Sequence, residues 1–282
     1  MAMRGVLLPA VACALAGPAG AAPRRIVSLN PCVDAILMEV AEPSRIAAIT
    51  HYSRDPGATA IPIDLARRFP VTYGTAEEVI ALRPDLVIAG RHVDLATRNA
   101  LARTGIPMLL LDVPESVAAS REQVMAIAAA VGAPEKGRRL NARINAALAR
   151  AGAFRGPPQP ALIWLGGGMV PGAGTLSDEL LRRAGFRNMS AAYGLQQWDM
   201  LPTEHLLMNP PRVIFTALGA AGAAPGSREA AARALTARGL RRIRANVRLV
   251  HYPRQMVQCA GPALEHAADR LAEVRRSLEH GR

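Results

Sequence analysis

Short runs of Val, Ile and Leu recur along the chain, and between them lie stretches whose apolar positions return every third or fourth residue. Parallel strands buried on both faces are apolar throughout, whereas the helices that connect them need only one apolar stripe, so this alternation predicts a helix-covered parallel sheet. The runs place strands at Arg25–Leu29, Ile46–Thr50, Leu86–Ala89 and Met108–Asp112 in the first half, and at Ala161–Leu165, Val213–Thr216 and Val247–Tyr252 in the second. The predicted fold class is α/β.

The two halves repeat a block. Glu77 to Pro84 predicts a helix stopped by proline, followed by the strand at Leu86, Gly90, a helix through Leu95–Arg103 and the strand after Pro107. Glu204 to Pro210 opens the same series in the second half, with the strand at Val213, Gly219, an Ala-rich helix from about Arg228 to Arg238 and a strand near Leu249. Between the blocks, Leu140, Ile144 and Leu148 recur every four residues within Pro134–Ala153, and Gly156-Pro157-Pro158 ends the pattern. This predicts two Rossmann-like lobes, over 22–133 and 155–282, joined by an amphipathic helix over 134–154. A rigid helical connector permits only small relative motion of the lobes.

The amino terminus changes the picture of where the protein works. Arg4 is the only charge before the apolar run Val6–Leu15, which gives way to small residues at Gly17–Ala22, the layout of a secretory signal peptide over 1–21 cleaved after Ala21. Cys13 is then discarded; acylation of Cys13 would call for a longer apolar run and a better residue than Ala10. Cys32 and Cys259 remain, near opposite ends of the chain, and in an oxidising compartment they either pair or stay as two separate buried thiols.

The formal charge of +12 raises nucleic-acid binding, but the basic residues are spread over the whole chain, Lys136 is the only lysine, and aromatic residues are few. No nucleic-acid partner is expected. Gly166-Gly167-Gly168 follows a predicted strand, yet a dinucleotide fingerprint fails where Pro171 stands, and a phosphate loop needs a Gly-Lys-Ser/Thr ending that does not occur. Neither a nucleophile elbow nor a paired-histidine zinc motif is present. The chain is expected not to be an enzyme and to hold no resident cofactor or metal.

Three stretches in order carry a resemblance: Arg25-Ile26-Val27-Ser28-Leu29-Asn30-Pro31-Cys32-Val33-Asp34, then Glu77 to Gly90, then Pro171 to Leu181 followed by Ala184-Gly185 and Asn188. With the central helix and the leader, they resemble the periplasmic binding proteins for cobalamin, ferric siderophores and haem that serve type II ABC importers, and most of all the cobalamin-binding member. The resemblance implies a monomeric periplasmic protein that binds a corrinoid between its lobes and passes it to an inner-membrane ABC permease with its ATPase. A ferric siderophore or haem is the alternative ligand; a periplasmic enzyme or a ligand-free accessory protein is the alternative of another class.

The resemblance also implies roles for particular residues. Glu77 and Glu204, near the starts of equivalent helices, would dock on permease arginines, although acids are favoured in a first helical turn in any case. Glu77 stands seven positions before its proline and Glu204 six, so the match needs a one-residue gap. Pro31 lies in the first cleft loop, and Tyr52, Tyr73 and Trp198 would line the cleft with flat apolar faces suited to a corrin ring, whereas Trp164, within a strand, is expected in the core. Arg54, Arg91 and Arg254 fall in predicted cleft loops and would suit an anionic iron chelate. His51, His92 and His251 could meet at the cleft but show no ligand spacing. Cys32 and Cys259 are expected in cleft loops on different lobes, either clamping the lobes together or leaving a thiol facing the ligand.

Overall fold

The computed structural model describes residues 22–165, 168–217 and 247–279, and its first five strands form one parallel sheet. These are β1 (Ile26–Ser28), β2 (Ile46–Thr50), β3 (Val71–Thr72), β4 (Leu86–Gly90) and β5 (Met108–Leu111), in the order β3-β2-β1-β4-β5. The chain therefore winds outward from β1 in one direction and then resumes on its other side at β4, leaving a crevice beyond the carboxyl ends of those two strands. Successive strand residues face opposite cores: Ile26 and Ile88 face one, Val27 and Val87 the other.

A second parallel sheet has the order β11-β10-β6-β8, from β6 (Gln159–Trp164), β8 (Phe186–Asn188), β10 (Val213–Thr216) and β11 (Arg248–His251). An antiparallel pair, β7 (Met169–Pro171) with β9 (Trp198–Met200), stands beside it. The fold is thus α/β with two sheet-containing lobes. Each of the seven runs expected to be strands overlaps one, while β3, β7, β8 and β9 are too short to produce a pattern of their own. The predicted helix at Arg228–Arg238, Gly219, Gly166 with Gly167, and residues 1–21 lie outside the described residues.

Helices α1 (Pro31–Val40), α2 (Ile63–Ala66), α3 (Ala76–Ala81), α4 (Leu95–Arg103), α5 (Val117–Ala130) and α6 (Pro134–Ala151) belong to the first half and the connector. Then come α7 (Leu176–Arg183), α8 (Met189–Ala192), α9 (Thr203–Met208), α10 (Gln255–Gln258) and α11 (Ala263–Glu279). The predicted connector is α6, ending two residues earlier than its pattern suggested. Its buried stripe, Leu140, Ile144, Ala147, Leu148 and Ala151, packs between α5 and α11. Glycine at position 137 permits the first contact, since a Cβ there would lie 2.5 Å from the Cβ of Ala128 on α5. The polar side of α6 is tied down by ions: Arg143 reaches Glu39 on α1 at 2.7 Å and Glu265 on α11 at 3.1 Å, and Arg150 reaches Asp269 at 3.0 Å.

One apolar core consequently runs from Ile26 and Ile88 in the first sheet, through Val124, Leu140 and Ile144, to Phe186, Phe215 and Tyr252 in the second. The Phe186 and Phe215 rings meet edge to face at 5.3 Å. Burying each large aliphatic side chain of the helical seam contributes about 1.5–3 kcal/mol.

Four further contacts cross between the halves. The Val117 amide donates to Glu179 on α7 at 2.8 Å, the Gly261 amide to the buried Ser120 hydroxyl at 3.0 Å, and Gln255 Nε2 to the Pro56 carbonyl at 3.0 Å. The fourth is covalent: Cys32 and Cys259 form a disulfide. Cys259 lies in the loop after α10, as expected, whereas Cys32 belongs to the first turn of α1 and not to a loop. Of the two arrangements open to these residues, the paired one is present.

Because the bond spans a sequence separation of 227 residues, breaking it frees a long loop in the unfolded chain. Reduction, or Cys32→Ser with Cys259→Ser, is expected to lower the unfolding free energy by about 2–5 kcal/mol in urea titrations. An unchanged midpoint under reductant would show that the seam alone sets stability.

Candidate functional site

The carboxyl ends of the two sheets face one another, since the segments leaving β1 and β2 are joined to the segment leaving β11 by Cys32–Cys259 and by Gln255–Pro56. Open parallel sheets bind ligands along such edges. On the first lobe, β2 runs into a single 3-10 turn, His51–Arg54, that displays Tyr52 to solvent. The next loop displays Tyr73, 70% exposed. Between them sits the His51 ring, 4.0 Å from Tyr52 and 4.6 Å from Tyr73, nearly parallel to the latter at 26°. The fold thus joins two of the predicted aromatics through a histidine.

Tyr73 is held by an altered capping box. Thr75 caps α3 by accepting from the Glu78 amide at 3.3 Å, but the Glu78 carboxylate, three residues on, reaches past the cap. It accepts from the Thr72 hydroxyl at 2.8 Å and the Tyr73 amide at 2.7 Å. These bonds, that from Thr72 first, hold its carboxyl below the usual range. With Glu78 engaged by Thr72 and Tyr73, Glu77 stands exposed without a side-chain partner among the described residues.

The turn carrying Tyr52 rests on Asp34, which is wholly buried in the first turn of α1. Its Oδ2 accepts from the Thr50 amide at 3.1 Å and the Ser53 hydroxyl at 2.6 Å; its Oδ1 has no partner among the described residues. Burial pushes this carboxyl up to about 7, and the neighbouring donors Ser28, Ser53 and Thr50 act in the opposite direction.

On the second lobe, Met169 pairs with Met200 and Pro171 with Trp198 across the β7–β9 ribbon, so these four share a face. Met169, Trp198 and Met200 are 43–55% exposed, while Val170 on the other face enters the core with Leu201 and Leu206. Gln197 turns the chain toward this face with a left-handed φ of 49°, a conformation that costs energy outside glycine. Its carbonyl accepts from the Gly172 amide at 2.6 Å and its amide donates to Ala173 at 2.9 Å. Glu204 is exposed at the second position of α9, as Glu77 is on α3. Measured to the first residue of the following strand, Glu77 to Leu86 and Glu204 to Val213, the two intervals are equal. The one-residue gap disappears because Pro211 adds a position before β10.

The remaining candidates are placed differently. Pro31 opens α1 and is half-buried, in a helix where a loop was expected. Arg54 donates to the Phe69 carbonyl at 2.5 Å, and Arg91 pairs with Asp112 at 2.7 Å, so both guanidinium groups are engaged within the first lobe. The Arg254 carbonyl receives the Val257 and Gln258 amides at the start of α10. Trp164 is buried. His51, His92 and His251 are not gathered, as no three His, Cys, Asp or Glu side chains among the described residues could hold a metal together. Sequence reasoning missed Asp34, Met169, Gln197 and Met200. An acid four residues after a strand-ending Leu29-Asn30 was the only available signal for Asp34.

A family model described as periplasmic binding protein matches residues 26–245. The fold is shared with the apo haem-binding protein RhuT of Roseiflexus sp. RS-1 (TM-score 0.68, 23% identity, covering 89% of this chain and 99% of that one). It is shared too with a periplasmic haem-binding protein of Pseudomonas aeruginosa (TM-score 0.71, 21% identity, 90% and 92% covered) and with the vitamin B12 binding protein BtuF of Vibrio cholerae (0.66, 18%, 91% and 98%). No characterised protein matches the chain significantly in sequence.

The raised Asp34 carboxyl predicts a pH dependence of stability. Between its ordinary value near 3.8 and about 7, the folded protein keeps a proton that the unfolded chain has released. This contribution is fully present below the lower value and lost as pH rises through about 7. Asp34→Asn should remove that decline in thermal unfolding across the interval, and a variant with the wild-type slope would refute the assignment.

Proposed function

The chain belongs to the periplasmic binding protein family, and from that premise we propose that it captures a corrinoid such as cobalamin between its lobes and delivers it to an inner-membrane ABC permease with its ATPase. The observation that carries this reading is the pair of exposed apolar surfaces at the facing sheet edges: Tyr52 and Tyr73 around His51 on one lobe, Trp198 with Met169 and Met200 on the other. Large apolar groups left in water mark binding surfaces when they cluster. Flat rings and adaptable thioethers suit a broad macrocycle, because they bury much area with little loss of side-chain freedom.

The solved structures named above bind vitamin B12 or haem, each a metal-bearing macrocycle, which supports the same ligand shape. The engagement of Arg54 with Phe69 and of Arg91 with Asp112 argues against an anionic siderophore as the first choice. A lobe pair joined by a packed helix also supports capture with small closing motions on preformed surfaces. In this reading the protein works as a periplasmic monomer. Glu77 and Glu204, exposed at equal distances before β4 and β10, present one acid per lobe to cationic groups of the permease.

Purified protein titrated with cyanocobalamin, haemin and ferric siderophores is expected to bind cyanocobalamin most tightly; tighter binding of haemin would overturn the corrinoid assignment. Tyr52→Ala and Trp198→Ala should each weaken binding by about 1–3 kcal/mol, as the loss of a buried apolar face does. Full affinity in both variants would move the contact elsewhere in the cleft. Glu77→Arg with Glu204→Arg should abolish uptake by cells and leave affinity intact; normal uptake would remove the docking role.

A further inference from the structure

Thr50 and Ser53 bracket His51 and Tyr52, and one oxygen of Asp34 takes a hydrogen bond from each of them. A single buried carboxyl therefore grips both ends of the segment that presents the aromatic surface. Packing alone does not call for an acid there. Asparagine has the same shape and an oxygen to accept both bonds, without the cost of a buried charge.

Asp34 also has little freedom to drift. Asn30 caps its helix through the Cys32 and Val33 amides, and Cys32, in the same first turn, is bonded to Cys259. A change in the strength of the grip is thus passed to the turn and not absorbed by α1.

We propose that Asp34 is a positioning residue of the ligand site, holding the His51–Arg54 turn firmly when ionised and loosely when protonated, so that affinity for the ligand falls as the solution becomes more acidic. The inference rests on Tyr52 and Tyr73 being ligand-contacting residues. An ionised carboxylate is the stronger acceptor for an amide and a hydroxyl. Burial lifts this carboxyl to about 7, which puts the change within the range an exported protein meets. By linkage, a ligand that strengthens the Thr50 and Ser53 bonds to the carboxylate lowers the proton affinity of Asp34, and capture releases a proton.

Around Asp34, Ser28 on β1, Thr50 on β2 and Ser53 on the turn are neutral. On the turn itself, His51 lies against the tyrosine rings and Arg54 is bound to the Phe69 carbonyl. From α5 comes Ser120, engaged by the Gly261 amide, and from α6 Arg143, engaged by Glu39 and Glu265.

The test measures affinity for cyanocobalamin and haemin from about pH 8 to about pH 6, where a loss of about fivefold to tenfold is expected with an inflection near 7. Asp34→Asn should flatten the profile, Ser53→Ala should move the inflection upward by removing a donor that favours the ionised form, and His51→Gln should leave the inflection in place. In ligand-free protein, the Asp34 carboxyl carbon and the Tyr52 ring protons should titrate together by NMR, a measurement that needs no folded Asp34 variant. An inflection that survives Asp34→Asn or vanishes with His51→Gln, or ring signals that ignore the carboxyl, overturns the proposal. If ring and carboxyl titrate together but neither probe binds, the grip stands and the ligand assignment falls.

Discussion

The packing of α6 between α5 and α11 is the constraint on which the two-lobed arrangement depends. Its buried stripe from Leu140 to Ala151 is shared property: removing it would open the cores of both lobes at once, since Ile26 and Phe215 belong to the same apolar cluster. Two sheets with separate cores could swing freely about a linker, but sheets that share a core cannot separate without exposing it. The ion pairs of Arg143 and Arg150 add alignment to this seam more than energy, because they are solvent-accessible.

A fixed frame shifts the burden of recognition onto the sheet edges. There side chains help to hold the backbone: Glu78 fixes the loop of Tyr73, Asp34 fixes the turn of Tyr52, and the Pro171 carbonyl is pinned by Asn188 and Ser190 beneath the β7–β9 ribbon. Costs are tolerated here in the buried acid with one unpartnered oxygen and in the left-handed Gln197. Local strain of this kind collects where shape serves a purpose.

How much of this was legible in the sequence follows from which signals are periodic. The core strands, α4 and α6 were readable to within a residue or two because burial repeats at the period of the element, as in Leu140, Ile144 and Leu148. The repeated block placed Glu77 and Glu204 on like helices, though counting to the proline obscured a match that counting to the strand restores. The short strands β7 and β9 left no trace, since three residues cannot show alternation, and with them went Met169 and Met200. Asp34 was hidden for a different reason: its partners, Thr50 and Ser53, are neutral residues of ordinary loop composition, and the bond between them is a fact of three dimensions. Nor did the sequence tell that Glu78 would pass over the Thr75 cap to reach Tyr73.

The position of α11 in the chain has a consequence for how the protein is made. It is synthesised long after α6, whose apolar stripe it covers, and the segment before it carries the cysteine that joins Cys32. While α11 is still to come, the first sheet can close on α1 and α5, but the inner face of α6 stays bare. Closure of the shared core is therefore a late act, and Cys32 waits for a partner 227 residues away.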